Sequence, residues 1–215
     1  MEVLIDQRSI IFDGFLMTLR LTAIAGVLSL VFGTILAVMR VSPIPPLRWA
    51  GATYVTIVRN TPLTLVFIIV AFGFPKLEIR LSFVTFAIVA LTSYTSTFVC
   101  EAVRSGINSV DGGEVEAARS VGLPFRQVMS LVVLPQAYRS VIPPLGNVFI
   151  ALAKNTSIAA AFSVTEATQV ARRVSNSFAS ATIAILIGTA VGYLFITLLM
   201  SVGFRLLERR AVSVR

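Results

Sequence analysis

Four consecutive side chains that can all hydrogen-bond, Lys154, Asn155, Thr156 and Ser157, interrupt an otherwise apolar stretch of the chain. Lys154 lies about 13 residues into that stretch, roughly 20 Å from its start by helical rise. An ammonium at such depth in an apolar environment is costly and marks a functional position by default. Two readings stand. Either the four residues bind a carboxylate in a central cavity, or Lys154 belongs to a structural ion pair or snorkels to a surface. A second polar group, Glu101 with Arg104, has the i,i+3 spacing of a local helical salt bridge, although Glu101 also suits a substrate ammonium. Asn60, Thr61 and Pro62 break a third apolar stretch, and the backbone groups freed there must line a cavity or find protein partners. The single cysteine, Cys100, and the absence of histidine exclude an internal disulfide, the usual zinc ligand sets and the Ser-His-Asp and Cys-His triads. Phe98 and Cys100 read as helix packing rather than as ligand contacts.

The elements that must position these residues are long apolar helices. The 215 residues are 56% hydrophobic and 13% charged, against roughly 25% charged for an ordinary soluble domain. A soluble fold of this size cannot hide that much apolar surface, whereas a lipid solvent has no need to hide it. Spans need about 20 mostly apolar residues. Five are expected: Phe15 to Met39; Trp49 to Phe74, interrupted at Arg59-Asn60-Thr61-Pro62; Leu81 to Val103; Val141 to Phe162, with Pro143-Pro144 at its start; and Ala179 to Leu207. Arg20 is close enough to an outer surface to snorkel. Gly188 and Gly192 form a GxxxG pattern, either a packing seam or simply the glycine common in membrane helices. The segment Met1 to Asp13 carries Glu2, Asp6 and Asp13 rather than a basic leader, so the first apolar run is expected to be a permanent span and not a cleavable signal.

The net charge of +8 would suit nucleic acid only if it were gathered in one patch, and it is not. Arg40, Arg48, Arg59, Arg104, Arg119, Arg126, Arg139, Arg205, Arg209, Arg210 and Arg215 fall on one side of the expected spans; Arg8, Lys76, Arg80, Arg172 and Arg173 fall on the other. That bias of eleven against five places the 104–139 loop and the C-terminus in the cytoplasm and the N-terminus outside.

The 104–139 loop is the one polar stretch large enough to be a docking element. Glu114 to Val121 holds good helix formers, with Glu116 and Arg119 paired at i,i+3. Gly122 can take the left-handed conformation that ends a helix, and Pro124 suits the start of the next. Phe125, Val128, Met129 and Val132 then share one apolar face, and Pro135 ends the segment. An amphipathic hairpin of this kind either docks on a partner or lies on lipid headgroups. The run Glu116-Ala117-Ala118, then Gly122, then Val132, Leu134 and Pro135, resembles the EAA loop of ABC-importer permeases, with Val132 where that pattern has isoleucine. Arg59-Asn60-Thr61-Pro62-Leu63, Glu101-Ala-Val-Arg104, Leu134-Pro135-Gln136-Ala137, Pro143-Pro144-Leu145-Gly146-Asn147 and Lys154-Asn155-Thr156-Ser157 are similar to the polar amino-acid uptake branch, and the general look is of actinobacterial glutamate-type permeases.

The resemblance implies an all-α membrane protein: one type I importer permease domain over 1–215 in a bacterial plasma membrane, with the coupling loop at 104–139. It implies that Glu116, Ala117, Ala118, Gly122, Leu134 and Pro135 engage a cytoplasmic ATPase. Lys154, Asn155, Thr156, Ser157, Asn60, Thr61 and Glu101 are the candidates for substrate contact. The chain has no GxxxxGK[ST] phosphate loop, so ATP and magnesium would be held by two separate ATPase subunits. The other implied partners are a second permease subunit, the same or homologous, and an extracytoplasmic binding protein; membrane lipid is the remaining one, and nucleic acid is not among them. Lys154 suits an anion, which favours glutamate or aspartate as substrate. The rival classes are a self-sufficient secondary transporter, which would need an internal repeat that the sequence does not display, and a membrane-embedded enzyme. In a Cys100→Ala background, an impermeant thiol reagent applied to whole cells is expected to label Glu78→Cys and to spare Gln127→Cys. The opposite pattern would reverse the orientation.

Overall fold

The computed structural model describes residues 2–213; Arg215, counted above with the inner arginines, lies outside them. Among the described residues there is no strand. A short helix α1 (Glu2–Asp6) leads into α2 (Arg8–Val41), then α3 (Pro45–Arg59), α4 (Leu63–Ile68), α5 (Phe74–Lys76), α6 (Phe83–Asn108), α7 (Gly112–Ser120), α8 (Phe125–Gln127), α9 (Leu134–Asn155), α10 (Ala167–Ser177) and α11 (Thr182–Ser213). Four stretches are long and apolar enough to cross a membrane: Arg8–Val41, Phe83–Asn108, Phe125–Phe162 and Ala179–Ala211. The first starts earlier than expected. The expected second span is not one straight helix: Pro45–Arg59 and Leu63–Lys76 meet at a bend of 104°.

Helix α2 packs along α6, α6 along α9, and α9 along α11, while α10 lies across α2 and α11. The main core gathers Leu21 and Ala25 from α2, Phe67 from α4, Leu91 from α6, Leu152 from α9 and Phe162. Phe67 and Phe162 stack with centroids 5.1 Å apart. Much of the outward surface of α2 and α11 is exposed leucine, isoleucine and valine, as a lipid-facing surface requires.

The prolines behave differently from their sequence reading. Pro135 does not end the hairpin helix, and Pro143 and Pro144 do not start a span; all three lie within one helical run from Phe125 to Phe162. Pro143 and Pro144 sit inside regular α9; for Pro135, and for Pro75 in the broken pair, the reason is visible just upstream. Val128–Val133 is a π-helical turn, as is Ile69–Gly73, and the prolines Pro135 and Pro75 follow those turns directly. A proline ring clashes with the carbonyl four residues back, here Leu131 and Ala71, and both carbonyls sit inside a widened turn that makes room for it. The extra residue per turn also moves the apolar face. Val128 and Val133 are buried, Val132 is half-buried, and Phe125 is exposed, so the expected stripe of Phe125, Val128, Met129 and Val132 is not one buried face.

Of the GxxxG pair, Gly192 is the one that close packing demands. A Cβ there would lie 2.1 Å from the Phe15 ring, whereas at Gly188 it would meet Leu4 at 3.4 Å, an ordinary contact. Phe15 is held edge-on to Tyr193, so the ring has little freedom to yield. Gly192→Val is therefore expected to cost about 1–3 kcal/mol through overpacking. Gly203→Val, in open space, should cost far less. Thermal melts of the detergent-purified variants, followed by gel filtration, compare the two; equal melting would contradict this packing.

Candidate functional site

A groove of about 380 Å³ runs between α6 and α9. Tyr94, Thr95 and Phe98 line it from α6, and Asn147, Val148, Ala151 and Asn155 from α9. Helical periodicity assembles the second wall, because Asn147, Ala151 and Asn155 recur every four residues on one face. Ala151 leaves space between the two amides. The walls are mainly apolar with a few fixed polar groups, the usual make-up of a small-molecule site.

The four residues grouped by sequence around Lys154 do not stay together. Asn155 ends α9 and lines the groove. Beyond it the backbone tightens into a 3₁₀ helix, Thr156–Phe162, and the side chains fan out. Thr156 is fully buried inside the subunit, donating to the Ala153 carbonyl at 2.8 Å, so it lines no groove here. Ser157 donates back to the Lys154 carbonyl at 2.7 Å. Lys154 itself is exposed and makes no ion pair among the described residues.

Asn60 and Thr61 also lie apart from the groove. Their side chains donate to the carbonyls of Thr56 and Ile57, at 2.7 and 2.8 Å. The Thr56 carbonyl also accepts from the Asn60 backbone N–H, and both carbonyls belong to the last turn of α3. The two residues thus seal the broken helix end.

Glu101 is more than one half of a local pair. One carboxylate oxygen is held by Arg40 and faces Arg59 at 3.8 Å, while the other accepts from Arg104 at 2.8 Å. Three guanidinium groups from the ends of α2, α3 and α6 surround one carboxylate. Both Glu101 oxygens are thus engaged by arginines. Arg59 also lies 5.4 Å over the ring of Phe98, a groove-lining residue.

The polar loop folds as a hairpin of its own. The Asp111 side chain caps α7 by accepting from the Gly113 N–H at 2.8 Å. Gly122 takes φ +86°, the left-handed turn expected of it. Pro124 is extended and hands over to α8. Ala118, Val128 and Val133 form a small core, flanked by Val115, Leu123, Met129 and Val132. Glu116, Ala117, Leu134 and Pro135 are exposed, while Ala118 faces inward. Glu114 accepts a hydrogen bond from Gln136, tying α7 to the base of α9. At the tip, Val121 and Phe125 are 76% and 68% exposed, an apolar pair on either side of the Gly122 hinge.

Residues 29–213 match the family of binding-protein-dependent transport system inner membrane components. The chain belongs to that family. Across 97% of its length this transport component is 42% identical to a probable glutamine ABC transporter permease protein of Bacillus subtilis, 96% of which is covered. It is 41% identical to a glutamate transport system permease protein of Corynebacterium glutamicum, over 97% of both chains. Among solved structures, a chain of an amino acid ABC transporter with histidines superposes with a TM-score of 0.91 at 30% identity, over 96% of each chain. A chain of an inward-facing methionine ABC transporter shares the fold, at a TM-score of 0.75 and 19% identity, over 96% of this chain and 98% of that one.

Sequence reasoning missed Tyr94 and Thr95, quoted Asn147 only for its resemblance to a family motif, read Phe98 as packing, and overlooked a buried polar knot in the transport component. Glu166 is fully buried and caps α10 by accepting from the Gln169 N–H at 2.9 Å. Its other oxygen accepts from the Tyr193 hydroxyl at 2.6 Å and from the Thr18 hydroxyl at 3.4 Å. Burial pushes the Glu166 carboxyl above the ordinary carboxylate range, while the Tyr193 hydroxyl opposes the shift. The knot ties α2, α10 and α11 together. The only sequence signal was an acid between two apolar segments, and its partners lie far away along the chain. Glu166→Ala leaves buried donors without an acceptor, at about 1–3 kcal/mol per group. Glu166→Gln keeps a carbonyl acceptor and should melt closer to wild type. An alanine variant as heat-stable as wild type would show that the knot does not hold the helices.

Proposed function

We propose that this chain is the membrane-spanning permease subunit of an ATP-binding-cassette importer for polar amino acids. The observation that carries the reading is the near full-length similarity to glutamine and glutamate permeases, together with the hairpin built around Gly122. In this reading the groove between α6 and α9 is where substrate passes, facing a second permease subunit, the same or homologous. Two cytoplasmic ATPase subunits hold ATP and magnesium, and an extracytoplasmic binding protein delivers the substrate. The hairpin and the C-terminus lie in the cytoplasm and the N-terminus outside.

Glutamine and glutamate share an α-carboxylate and an α-ammonium and differ in the charge of the side-chain end. Asn147 and Asn155 offer amide donors and acceptors for either molecule. Lys154, exposed next to Asn155 in the chain, is the cation for the side-chain carboxylate, which favours glutamate or aspartate as substrate.

The hairpin tip transmits force. Val121 and Phe125 enter a groove on the ATPase, and Gly122 fixes the angle between the two helices that carry them. At φ +86° a side chain is strained even where space is open, and aspartate would also bring a charge to an apolar contact. Gly122→Asp is expected to leave membrane insertion intact and reduce uptake at least tenfold while ATP hydrolysis continues. Uptake in cells and ATPase activity of the purified complex are the paired measurements. Normal uptake at normal expression would defeat the coupling role.

A further inference from the structure

The groove contains no charged lining residue, yet an amino acid brings a carboxylate into it. A cation in contact with the groove wall is Arg59, 5.4 Å from the centroid of the Phe98 ring. Its partner Glu101 is already held on both oxygens by Arg40 and Arg104, and the Arg59 contact is a long one, at 3.8 Å. The cluster therefore has three guanidinium groups against one carboxylate, a surplus of two positive charges. Arg40 is mostly buried, whereas the Arg59 side chain is 47% exposed. Arg59 lies over Phe98, whose ring forms part of the groove wall. As the last residue of α3, it stands at the 104° break in the chain.

We propose that Arg59 is the specificity residue for the substrate α-carboxylate, taking it in exchange for its loose contact with Glu101. The inference rests on the reading of the groove as the substrate site. The exchange conserves charge pairing at each step. Arg59 leaves one carboxylate for another, and Glu101 keeps Arg40 and Arg104, so no buried charge is left alone. A guanidinium presents a planar fork that matches a carboxylate with two parallel hydrogen bonds, which an ammonium cannot do. Division of labour follows. Arg59 reads the group common to all amino acids, and Lys154 reads the side-chain charge that separates glutamate from glutamine. Substrate binding would also remove one contact between α3 and α6, while the Tyr54 hydroxyl still donates to the Ser93 carbonyl at 3.1 Å.

The test is saturation-transfer NMR on the purified permease–ATPase complex without binding protein, with L-glutamate, L-glutamine and 4-aminobutanoate as probes. The last lacks the α-carboxylate. Arg59→Gln is expected to weaken glutamate and glutamine alike by about tenfold or more, the worth of a charge-assisted contact. It should leave 4-aminobutanoate unchanged. Lys154→Met should weaken glutamate and 4-aminobutanoate, which both carry the side-chain carboxylate, and spare glutamine. Glu101→Gln, which releases Arg59 from competition, should tighten both amino acids or leave them unchanged, whereas a purely structural cluster predicts that it weakens them. If Arg59→Gln lowers complex yield, Arg59→Lys, which keeps charge but loses the fork, supplies the same comparison. Arg59 variants that bind all three probes like wild type, while Asn155→Ala weakens them, would overturn the Arg59 assignment and keep the groove. Wild-type binding in both the Arg59 and Asn155 variants would overturn the groove reading and the assignment together.

Discussion

A chain in lipid must satisfy its own polar groups, because no water is at hand to do so. Several irregular features of this fold answer that constraint. Where α3 stops, the side chains of Asn60 and Thr61 bond carbonyls of its last turn. Where Pro75 and Pro135 would break a helix, π-helical turns widen around the proline ring and the helix continues. Where carboxylates enter the interior, Glu101 is ringed by arginines and Glu166 is wrapped by hydroxyl and backbone donors. An unmet group in this solvent costs several kcal/mol, more than most single packing contacts return.

These solutions are unevenly distributed, and their placement produces the site. The groove lies between two long helices, α6 and α9, and the irregularities stand at its borders. The break after Arg59 leads to one wall through Phe98, and the switch to a 3₁₀ helix after Asn155 ends the other wall. The π turn below α9 joins that same wall to the hairpin, so the hairpin and the groove share one helical run from Phe125 to Phe162. Phe125 at the hairpin tip and Asn147 and Asn155 in the groove therefore belong to one continuous helical run. Glu114 bonded to Gln136 stiffens the junction.

Much of this was legible in the sequence because the signals were local. Apolar run lengths gave the spans, and the spacing from Glu116 to Pro135 gave the hairpin and the left-handed Gly122. Pro135 misled, because its effect depends on whether the preceding turn can widen, which residue type does not disclose. The fan of side chains after Lys154 was hidden for a related reason: a helical face was assumed to continue past the point where the backbone tightens. Glu101 looked like an i,i+3 pair because Arg104 is near in sequence, while Arg40 and Arg59 arrive from other helices. Glu166 and Tyr193 meet only after α10 folds back. Their pairing depends on tertiary approach and leaves no spacing to read.

The central claim is that movement of substrate through this chain is driven by ATP hydrolysis in a partner docked on the hairpin. Its most direct measurement is uptake of labelled L-glutamate and L-glutamine into proteoliposomes holding the purified permease–ATPase complex, with binding protein added on the delivery side. The account predicts uptake that needs ATP, the ATPase and the binding protein together, and that persists when ion gradients are collapsed. Uptake by the permease alone, driven by a proton or sodium gradient without ATP, would contradict it.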